Sequence, residues 1–193
     1  GRRFKSCRER SQIPMKKIFV KVKRGKEISA KEVGKLKSIW KKAFGGSIDI
    51  IDNEIVVIVY NSEKKILSVG RLIPVKIEFL NKKYNIYGIG GIASAIKGKG
   101  YGKILMNVIY RYLINRKLTG IGFCNRKNTI FYQKCGFKIA KNLVKRFIYK
   151  NPEGKLIRDK EDDDVFYYSE KDKFMEKVLS HPKKKVLIPC PHW

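Results

Sequence analysis

Hydrophobic and polar residues alternate along the chain with two different periods, and these periods predict its strands and helices. Residues 16–22 (KKIFVKV) alternate as a strand does, whereas residues 29–44 carry apolar side chains at a spacing of three to four, typical of an amphipathic helix. Ser29 and Glu32 form a capping box at the start of that helix, and Gly45 and Gly46 follow its end. The pattern therefore predicts a strand followed by a helix.

The middle of the chain is rich in strands. Residues 54–60, 66–80 and 84–94 are predicted to be antiparallel strands joined by tight turns, with Pro74 at an irregularity or a strand edge. From Gly100 the period changes to that of a helix. Further elements are predicted as a strand at 119–125, a short helix at 128–135, and strands at 143–149, 165–169 and 184–189.

These elements indicate one α+β domain built around a mixed, mostly antiparallel sheet flanked by helices. We expect residues 15–193 to form this domain, and residues 1–14 to be an extension, because Met15 before KKIFVKV resembles a natural start. The apolar stretches are shorter than the ~18–20 residues that span a bilayer. The first residues also lack the apolar segment of a signal peptide. A cytoplasmic protein without a membrane partner, either a monomer or a homodimer, is therefore expected.

Composition makes the protein strongly basic. It has 45 Lys and Arg against 17 Asp and Glu, a formal net charge of +28. The basic residues are spread along the chain rather than gathered in one arm, which favours a solvated surface over a nucleic-acid partner. The four cysteines show no CxxC spacing and the two histidines lie near the end of the chain, so we expect reduced thiols and no metal site.

One short stretch carries candidate chemistry. Residues 96–106 (IKGKGYGKILM) place three glycines at alternate positions among lysines, directly before a helix. A P-loop is excluded, because Gly102-Lys103 is followed by Ile104 rather than a hydroxyl residue. A dinucleotide fingerprint is disfavoured, because the spacing is GxGxG. What remains is a glycine turn before a helix N-terminus, an arrangement that binds a pyrophosphate without a metal.

A second motif follows about 30 residues later, at 128–138 (NTIFYQKCGFK). Together the two motifs resemble the GNAT superfamily of acetyl-CoA-dependent N-acetyltransferases. Residues 97–102 correspond to that family's Arg/Gln-x-x-Gly-x-Gly/Ala loop, with lysine in the first position. Asn128, Tyr132 and the pair Gly136-Phe137 correspond to its later helix. The resemblance implies a GNAT-like fold and acetyl-CoA as co-substrate.

The resemblance also implies a set of site residues. The loop amides would bind the pyrophosphate, Asn128 would face the pantetheine arm, and the Ile92 backbone N–H would meet the thioester carbonyl. Tyr132 would be the general acid that protonates the leaving thiolate. The implied acetyl-CoA-binding residues are Ile92, Ala93, Ser94, Lys97, Gly98, Lys99, Gly100, Tyr101, Gly102, Lys103, Asn128 and Tyr132.

The acceptor is an amine that the sequence leaves unidentified. Segment order, YGIGGIA at 87–93, the acidic residues before VFYY, and the final Trp193 resemble aminoglycoside 2′-N-acetyltransferases, which implies an amino-sugar acceptor. The strand glutamate that often serves as base is replaced by Gly90. Candidate bases are Asp49, Asp52, Glu54, Glu78, Asp163 and Asp164, and the expected acceptor-binding residues are Asp52, Glu54, Asp163, Asp164 and Trp193. A protein amine as acceptor, a non-catalytic acetyl-CoA-binding module and an RNA-associated module are the alternatives.

Overall fold

The computed structural model describes residues 17–151, 153–158, 163–170 and 172–189. Its helices are α1 (Ala30–Phe44), α2 (Tyr101–Asn115), α3 (Thr129–Lys134) and α4 (Phe174–Ser180). Its strands are β1 (Ile18–Arg24), β2 (Ile55–Asn61), β3 (Ile66–Phe79), β4 (Lys82–Ser94), β5 (Gly120–Cys124), β6 (Lys138–Ala140), β7 (Phe147–Lys150), β8 (Leu156–Arg158), β9 (Asp164–Tyr168) and β10 (Val186–Ile188). No helix in the described ranges is long and apolar enough to cross a membrane.

The predicted caps of α1 are present. The Ser29 hydroxyl accepts a hydrogen bond from the Glu32 amide, and the Glu32 carboxylate accepts one from the Ser29 amide. Gly45 ends the helix in the left-handed conformation, with φ +79°. Besides capping the helix, the Glu32 carboxylate forms an ion pair with the Lys23 Nζ at 2.7 Å and accepts a hydrogen bond from the Tyr60 hydroxyl at 3.0 Å. It thereby ties α1 to β1 and β2.

Neutralising Glu32 should destabilise the protein in a pH-dependent way. The hydrogen bond from Lys23 is the main cause that lowers the pKa of Glu32 from 4.5 to about 2. Its stabilising effect is therefore complete above pH 4.5 and is lost as the pH falls through about 2. Because this pair is partly exposed, Glu32→Gln should cost ~1 kcal/mol at neutral pH. Urea unfolding at pH 7 and at pH 2.5 measures this, with the exposed Glu63→Gln as control. An equal loss of unfolding free energy at both pH values would contradict the conclusion that the effect comes from the ion pair with Lys23.

The sheet is mixed and mostly antiparallel, as predicted. Its strand order is β6-β9-β5-β4-β3-β10-β7-β8, and β2 adds to the first half of β3 and carries β1 at its outer side. Among the strands of the described residues, only the pairs β4 with β5 and β7 with β10 run parallel. The β3–β4 hairpin turns at Leu80 and Asn81, which both have positive φ, as the tight two-residue turn requires. This long hairpin is the centre of the sheet.

Pro74 lies inside β3 without breaking it. Pairing with β2 ends at Leu72, and pairing with β10 occurs at Glu78. Pro74 therefore lies where β3 changes partners on one side, which agrees with the predicted irregularity or strand edge.

Successive side chains of a strand point to opposite faces of the sheet, and α1 and α2 cover opposite faces. On β2, Val56 and Ile58 pack with Leu36 and Trp40 of α1, whereas Val57 and Val59 pack with α2. A third cluster joins the far ends of β3 and β4 to α4. Since β2 is buried on both faces, its continuous apolar sequence (IVVIVY) follows directly from its position.

The carboxyl-terminal part differs most from the prediction. Residues 143–149 were expected to form one strand, but Val144–Arg146 is a short 3₁₀ helix and β7 begins only at Phe147. The short strands β6 and β8 and the helix α4 have no counterpart in the predicted elements. Three-residue strands and a seven-residue helix are too short to show a period of their own, so only their packing specifies them.

Candidate functional site

The parallel strands β4 and β5 separate partway along their length. Register pairs join them only at Tyr87 with Gly120 and at Gly88 with Ile121. On its other side, β5 stays paired with β9 along its whole length. Within the described parts of the chain, the second half of β4 therefore has no neighbouring strand on one side. This opening is the start of the candidate site.

A bulge in β4 sits at that opening. Across the hairpin, Val69 pairs with Ala93 and Arg71 pairs with Gly90, so Gly91 and Ile92 face the single residue Gly70. Gly91 has φ +59°, a conformation that side-chain-bearing residues rarely adopt. The bulge takes Ile92 out of the regular ladder between β3 and β4.

A buried cluster holds this bulge from the α1 side of the sheet. The indole of Trp40 donates a hydrogen bond to the Gly91 carbonyl at 2.8 Å. The Arg71 side chain packs beside it, since a Cβ on Gly91 would lie 3.0 Å from the Arg71 Cδ and 3.2 Å from the Trp40 Nε1. The Arg71 guanidinium lies 5.6 Å from the centre of the Trp40 ring. An added side chain at position 91 would push the Arg71 and Trp40 side chains by a few tenths of an ångström, and the positive φ would strain it as well.

Glu54 completes the cluster. It is fully buried, and its carboxylate accepts from Arg71 Nε at 2.8 Å and from Nη2 at 2.5 Å. Arg71 Nη2 also donates to the Asp49 carbonyl at 2.9 Å. Glu54 was expected to bind the acceptor, but the ion pair occupies both of its oxygens away from solvent. Sequence reasoning did not single out Arg71 or Trp40, because nothing local indicates that an arginine in a strand is buried.

The loop after β4 leads into the N-terminus of α2. The Ala95 amide donates to the Leu67 carbonyl at 2.9 Å, and the Ser68 hydroxyl donates to the Tyr101 carbonyl at 3.0 Å, so β3 fixes both ends of the loop. Gly98 and Gly100 have φ +75° and +78°, and nothing lies within 4 Å of a Cβ added to either. The Lys103 and Ile104 amides of α2 donate to the Gly100 carbonyl at 3.0 and 3.2 Å. The amides of Tyr101 and Gly102 come before these first helical bonds, and a helix start of this kind suits an anion.

The loop, the bulge and α3 together line one groove of about 530 Å³. Ten of the residues expected from the sequence lie on its wall: Ile92, Ser94, Lys97, Gly98, Gly100, Tyr101, Gly102, Lys103, Asn128 and Tyr132. Ile96 and Phe131 line it as well and were not predicted. Two predicted residues do not line it: Ala93 is buried against α1, and Lys99 is exposed on the loop. Motifs 30 residues apart thus meet in one groove.

Tyr132 is an acid–base side chain in the groove wall, and its pKa is strongly shifted. Its ring stacks on Phe166 with 3.8 Å between ring centres, and Phe166 lies over Gly122, where a Cβ would come within 2.1 Å of the ring. Burial is the main cause that raises the pKa of the Tyr132 phenol above its usual value of 10. The phenol is therefore protonated at neutral pH and can donate a hydrogen bond or a proton.

Two thiols lie beside this tyrosine. Cys124 and Cys135 are both buried, and burial raises the pKa of the Cys124 thiol to about 11. Burial also raises the pKa of the Cys135 thiol. Since the thiolate is the reactive form, neither side chain is suited to be a nucleophile at neutral pH.

The acidic residues expected at the acceptor end lie in different places. Asp164 is buried, and its carboxylate accepts from the Thr129 hydroxyl at 2.6 Å and the Asn142 amide at 2.9 Å, which anchors the start of α3. Asp163 is half-buried, and its carbonyl accepts from the Val144 amide. Asp52 lines another cavity, near the end of α2. Trp193 lies outside the described residues.

Comparison with known proteins gives a consistent result. Residues 38–137, which are 100 of the 193 residues, match the model of the family described as the acetyltransferase (GNAT) family. Escherichia coli ElaA has a TM-score of 0.56 at 12% identity, over 80% of this chain and 100% of that one. An acyl-CoA N-acyltransferase from Pseudomonas aeruginosa has a TM-score of 0.56 at 14% identity, over 79% and 100%.

An N-acetyltransferase from Staphylococcus aureus Mu50 has a TM-score of 0.51 at 16% identity, over 78% of this chain and 97% of that one. Identities this low show a shared fold only. None of the curated protein sequences compared with this chain matches it significantly. The predicted fold class, a mixed and mostly antiparallel sheet flanked by helices, is confirmed.

Proposed function

The chain belongs to the acetyltransferase (GNAT) family, and from that premise we propose that it transfers an acetyl group from acetyl-CoA to a primary amine of a small molecule. Members of the family are acyltransferases. The observation that carries the finer proposal is the single groove of about 530 Å³ in which the glycine loop, the β4 bulge and Tyr132 come together.

The groove fits the proposed co-substrate. Gly98 and Gly100 adopt left-handed conformations and have open space where side chains would be, so a pyrophosphate can approach the backbone amides closely. Lys97 and Lys103 line the same end and add positive charge. Asn128 and Phe131 lie along the α3 side, where the pantetheine arm would pass.

The bound thioester supplies an electrophilic carbonyl carbon and a thiolate leaving group. We assign the Ile92 backbone N–H at the bulge to the carbonyl oxygen, where it would stabilise the negative charge that develops as the amine attacks. The new C–N bond forms, the C–S bond breaks, and the sulfur takes a proton from the Tyr132 hydroxyl. The amine nitrogen releases its extra proton to water, and a proton from water restores the Tyr132 hydroxyl, so the net reaction moves one proton from nitrogen to sulfur.

A strand carboxylate does not take part in this proposal. The β4 segment (KKYNIYGIGGIAS) contains no acid, and the carboxylates of Glu54 and Asp164 are held inside the protein. The acceptor must therefore reach the site as a neutral amine, which favours amines of low pKa. Asp163 stays a candidate contact for the acceptor. Aminoglycosides and other amino sugars belong in the substrate panel because of the resemblance in segment order.

Gly100→Glu should abolish binding of acetyl-CoA. The new carboxylate would stand among the amides proposed to hold the pyrophosphate, and we expect its charge to weaken affinity by at least ~100-fold, which corresponds to about 2.7 kcal/mol. Isothermal titration with acetyl-CoA and with CoA measures the change. Gly45→Glu is a matched control, because Gly45 has φ +79° and Gly100 has φ +78°, and an added Cβ meets open space at both.

Binding by wild type and Gly45→Glu but not by Gly100→Glu supports the groove as the CoA site. Loss of binding in both variants, or in neither, contradicts it. A thiol-release assay with a panel of small amines then separates catalysis from binding. Binding without thiol release for every amine would favour a non-catalytic acetyl-CoA-binding module instead.

A further inference from the structure

A second cavity, of about 670 Å³, lies on the α2 side of the protein and shares no lining residue with the acetyl-CoA groove. It is bounded by the β1–α1 connection, the segment before β2 and the carboxyl-terminal end of α2. Tyr101 lies at the groove and Tyr112 at the cavity, 11 residues apart on α2, which corresponds to about 16 Å along the helix. Its volume is typical of a small-molecule site.

The walls of this cavity are held in place without a ligand. The Gly25 amide donates to the Glu54 carbonyl at 2.8 Å, and the Lys26 amide donates to the Asp52 carbonyl at 3.2 Å. The two segments pack so closely that a Cβ on Gly25 would lie 1.9 Å from the Ile51 carbonyl oxygen. The cavity is therefore a preformed feature of the fold rather than a gap between loose loops.

Three cations at the cavity have no acidic partner. In the part of the chain that the structure describes, no carboxylate lies within 4.0 Å of the charged nitrogens of Arg24, Lys26 or Arg116. Lys23 also lines the cavity, but its ammonium is paired with Glu32. Three unpaired cations converging on one concave surface favour an anion with several acceptor oxygens, such as a phosphate.

Aromatic and hydrogen-bonding groups lie beside these cations. Tyr87 and Tyr112 line the cavity, and the Arg116 guanidinium lies 4.7 Å from the centre of the Tyr112 ring. Flat aromatic and guanidinium surfaces stack on nucleobases. Asp52 and Asn53 also line the wall, and the side-chain oxygens of these residue types accept hydrogen bonds from the exocyclic amino groups of bases.

We propose that this cavity is a nucleotide site, in which Arg24, Lys26 and Arg116 bind the phosphate, the tyrosines contact the base, and Asp52 accepts from its amino group. The proposal gives Asp52 a role beside the cations, whereas Glu27, which also lines the cavity, accepts a hydrogen bond from the Arg24 amide at 2.9 Å. It predicts that a base with an exocyclic amino group binds better than uracil. The source is either a free nucleotide or a nucleotide unit of single-stranded RNA, since both present the same phosphate and base.

Titration of the full chain with AMP, CMP, GMP and UMP, with inorganic phosphate and with a single-stranded RNA tests the site. We expect saturable binding of the amino-bearing nucleotides, at least about tenfold weaker in Arg116→Ala because a charge-assisted phosphate contact is lost. Arg111→Ala is the matched control: it removes the same charge from α2, whose end Arg116 follows directly, at an exposed position that does not line the cavity.

The outcomes separate this site from the groove and from a general attraction to a basic protein. Gly100→Glu should bind nucleotide as the wild type does, because Gly100 does not line this cavity. The nucleotide proposal can therefore be tested even if the acetyl-CoA proposal fails. Asp52→Asn should reduce the preference over UMP. Equal losses in Arg116→Ala and Arg111→Ala, or no binding of any mononucleotide, would overturn the proposal. RNA binding stronger than mononucleotide binding but still dependent on Arg116 would identify RNA as the source.

Discussion

Glu54→Gln should destabilise the protein by about 3 kcal/mol, because it leaves the Arg71 guanidinium buried without a counter-charge. Glu54 is fully buried and Arg71 is 9% exposed, so water cannot replace the lost carboxylate. Because glutamine is similar in size and keeps one hydrogen-bond acceptor, the loss of stability reports mainly the missing charge. Chemical denaturation at neutral pH measures the change in the free energy of unfolding.

Two controls make the result specific to the buried pair. Asp49→Asn removes the ion pair with Lys37, in which the Asp49 side chain is 84% exposed, and should leave stability within error. The double variant Glu54→Gln/Arg71→Met removes both charges and should recover at least half of the loss, since a buried pair is more easily replaced than broken. A small effect of Glu54→Gln, equal to that of Asp49→Asn, would contradict the burial argument.

Tyr132→Phe should lower kcat by about 100-fold and leave the KM for acetyl-CoA nearly unchanged, because it removes the proposed proton donor but keeps the ring. The phenylalanine can stack on Phe166 as the tyrosine does, so thermal stability should change little. Steady-state thiol release with a substrate amine measures both constants. Tyr110→Phe is a matched control, because the Tyr110 ring packs on Phe137 and Tyr168 and lies outside the groove.

The pH dependence adds an independent readout. Because burial raises the pKa of Tyr132 above 10, its protonated form persists at higher pH than a free tyrosine would allow. Deprotonation of Tyr132 should therefore not lower the wild-type rate below pH 10. A rise of the rate with pH would report the loss of a proton from the substrate amine. Wild-type kcat in Tyr132→Phe would refute the assignment of the general acid.

The parts of the candidate site that could be predicted from sequence are those formed by a few consecutive residues. KGKGYG and NTIFYQKCGFK each encode a turn and a helix start within a few residues, and the glycines at 98 and 100 do adopt the left-handed conformation that such a turn needs. The residues that support the site could not be found in this way. Glu54 and Arg71 are 17 positions apart, and the stacking of Tyr132 on Phe166 joins residues 34 positions apart.

The acids show the same limit. Asp52, Glu54, Asp163 and Asp164 look equivalent in sequence, as carboxylates near predicted strand ends. In the fold, Glu54 pairs with Arg71 and Asp164 anchors α3, whereas Asp52 faces a separate cavity. Whether a carboxylate is available to a ligand depends on its neighbours in space, and no local pattern records them.

By itself, the sequence determined the longer strands and helices through its periodicity, since burial of one side of an element imposes a period of two or of three to four. It determined the glycine loop as well, because only glycine adopts those angles without strain. Tertiary structure alone decided which strands separate, where the β4 bulge falls, and which charged groups are buried. These features arise from contacts between distant segments, and their free energies depend on burial, which exists only once the chain has folded.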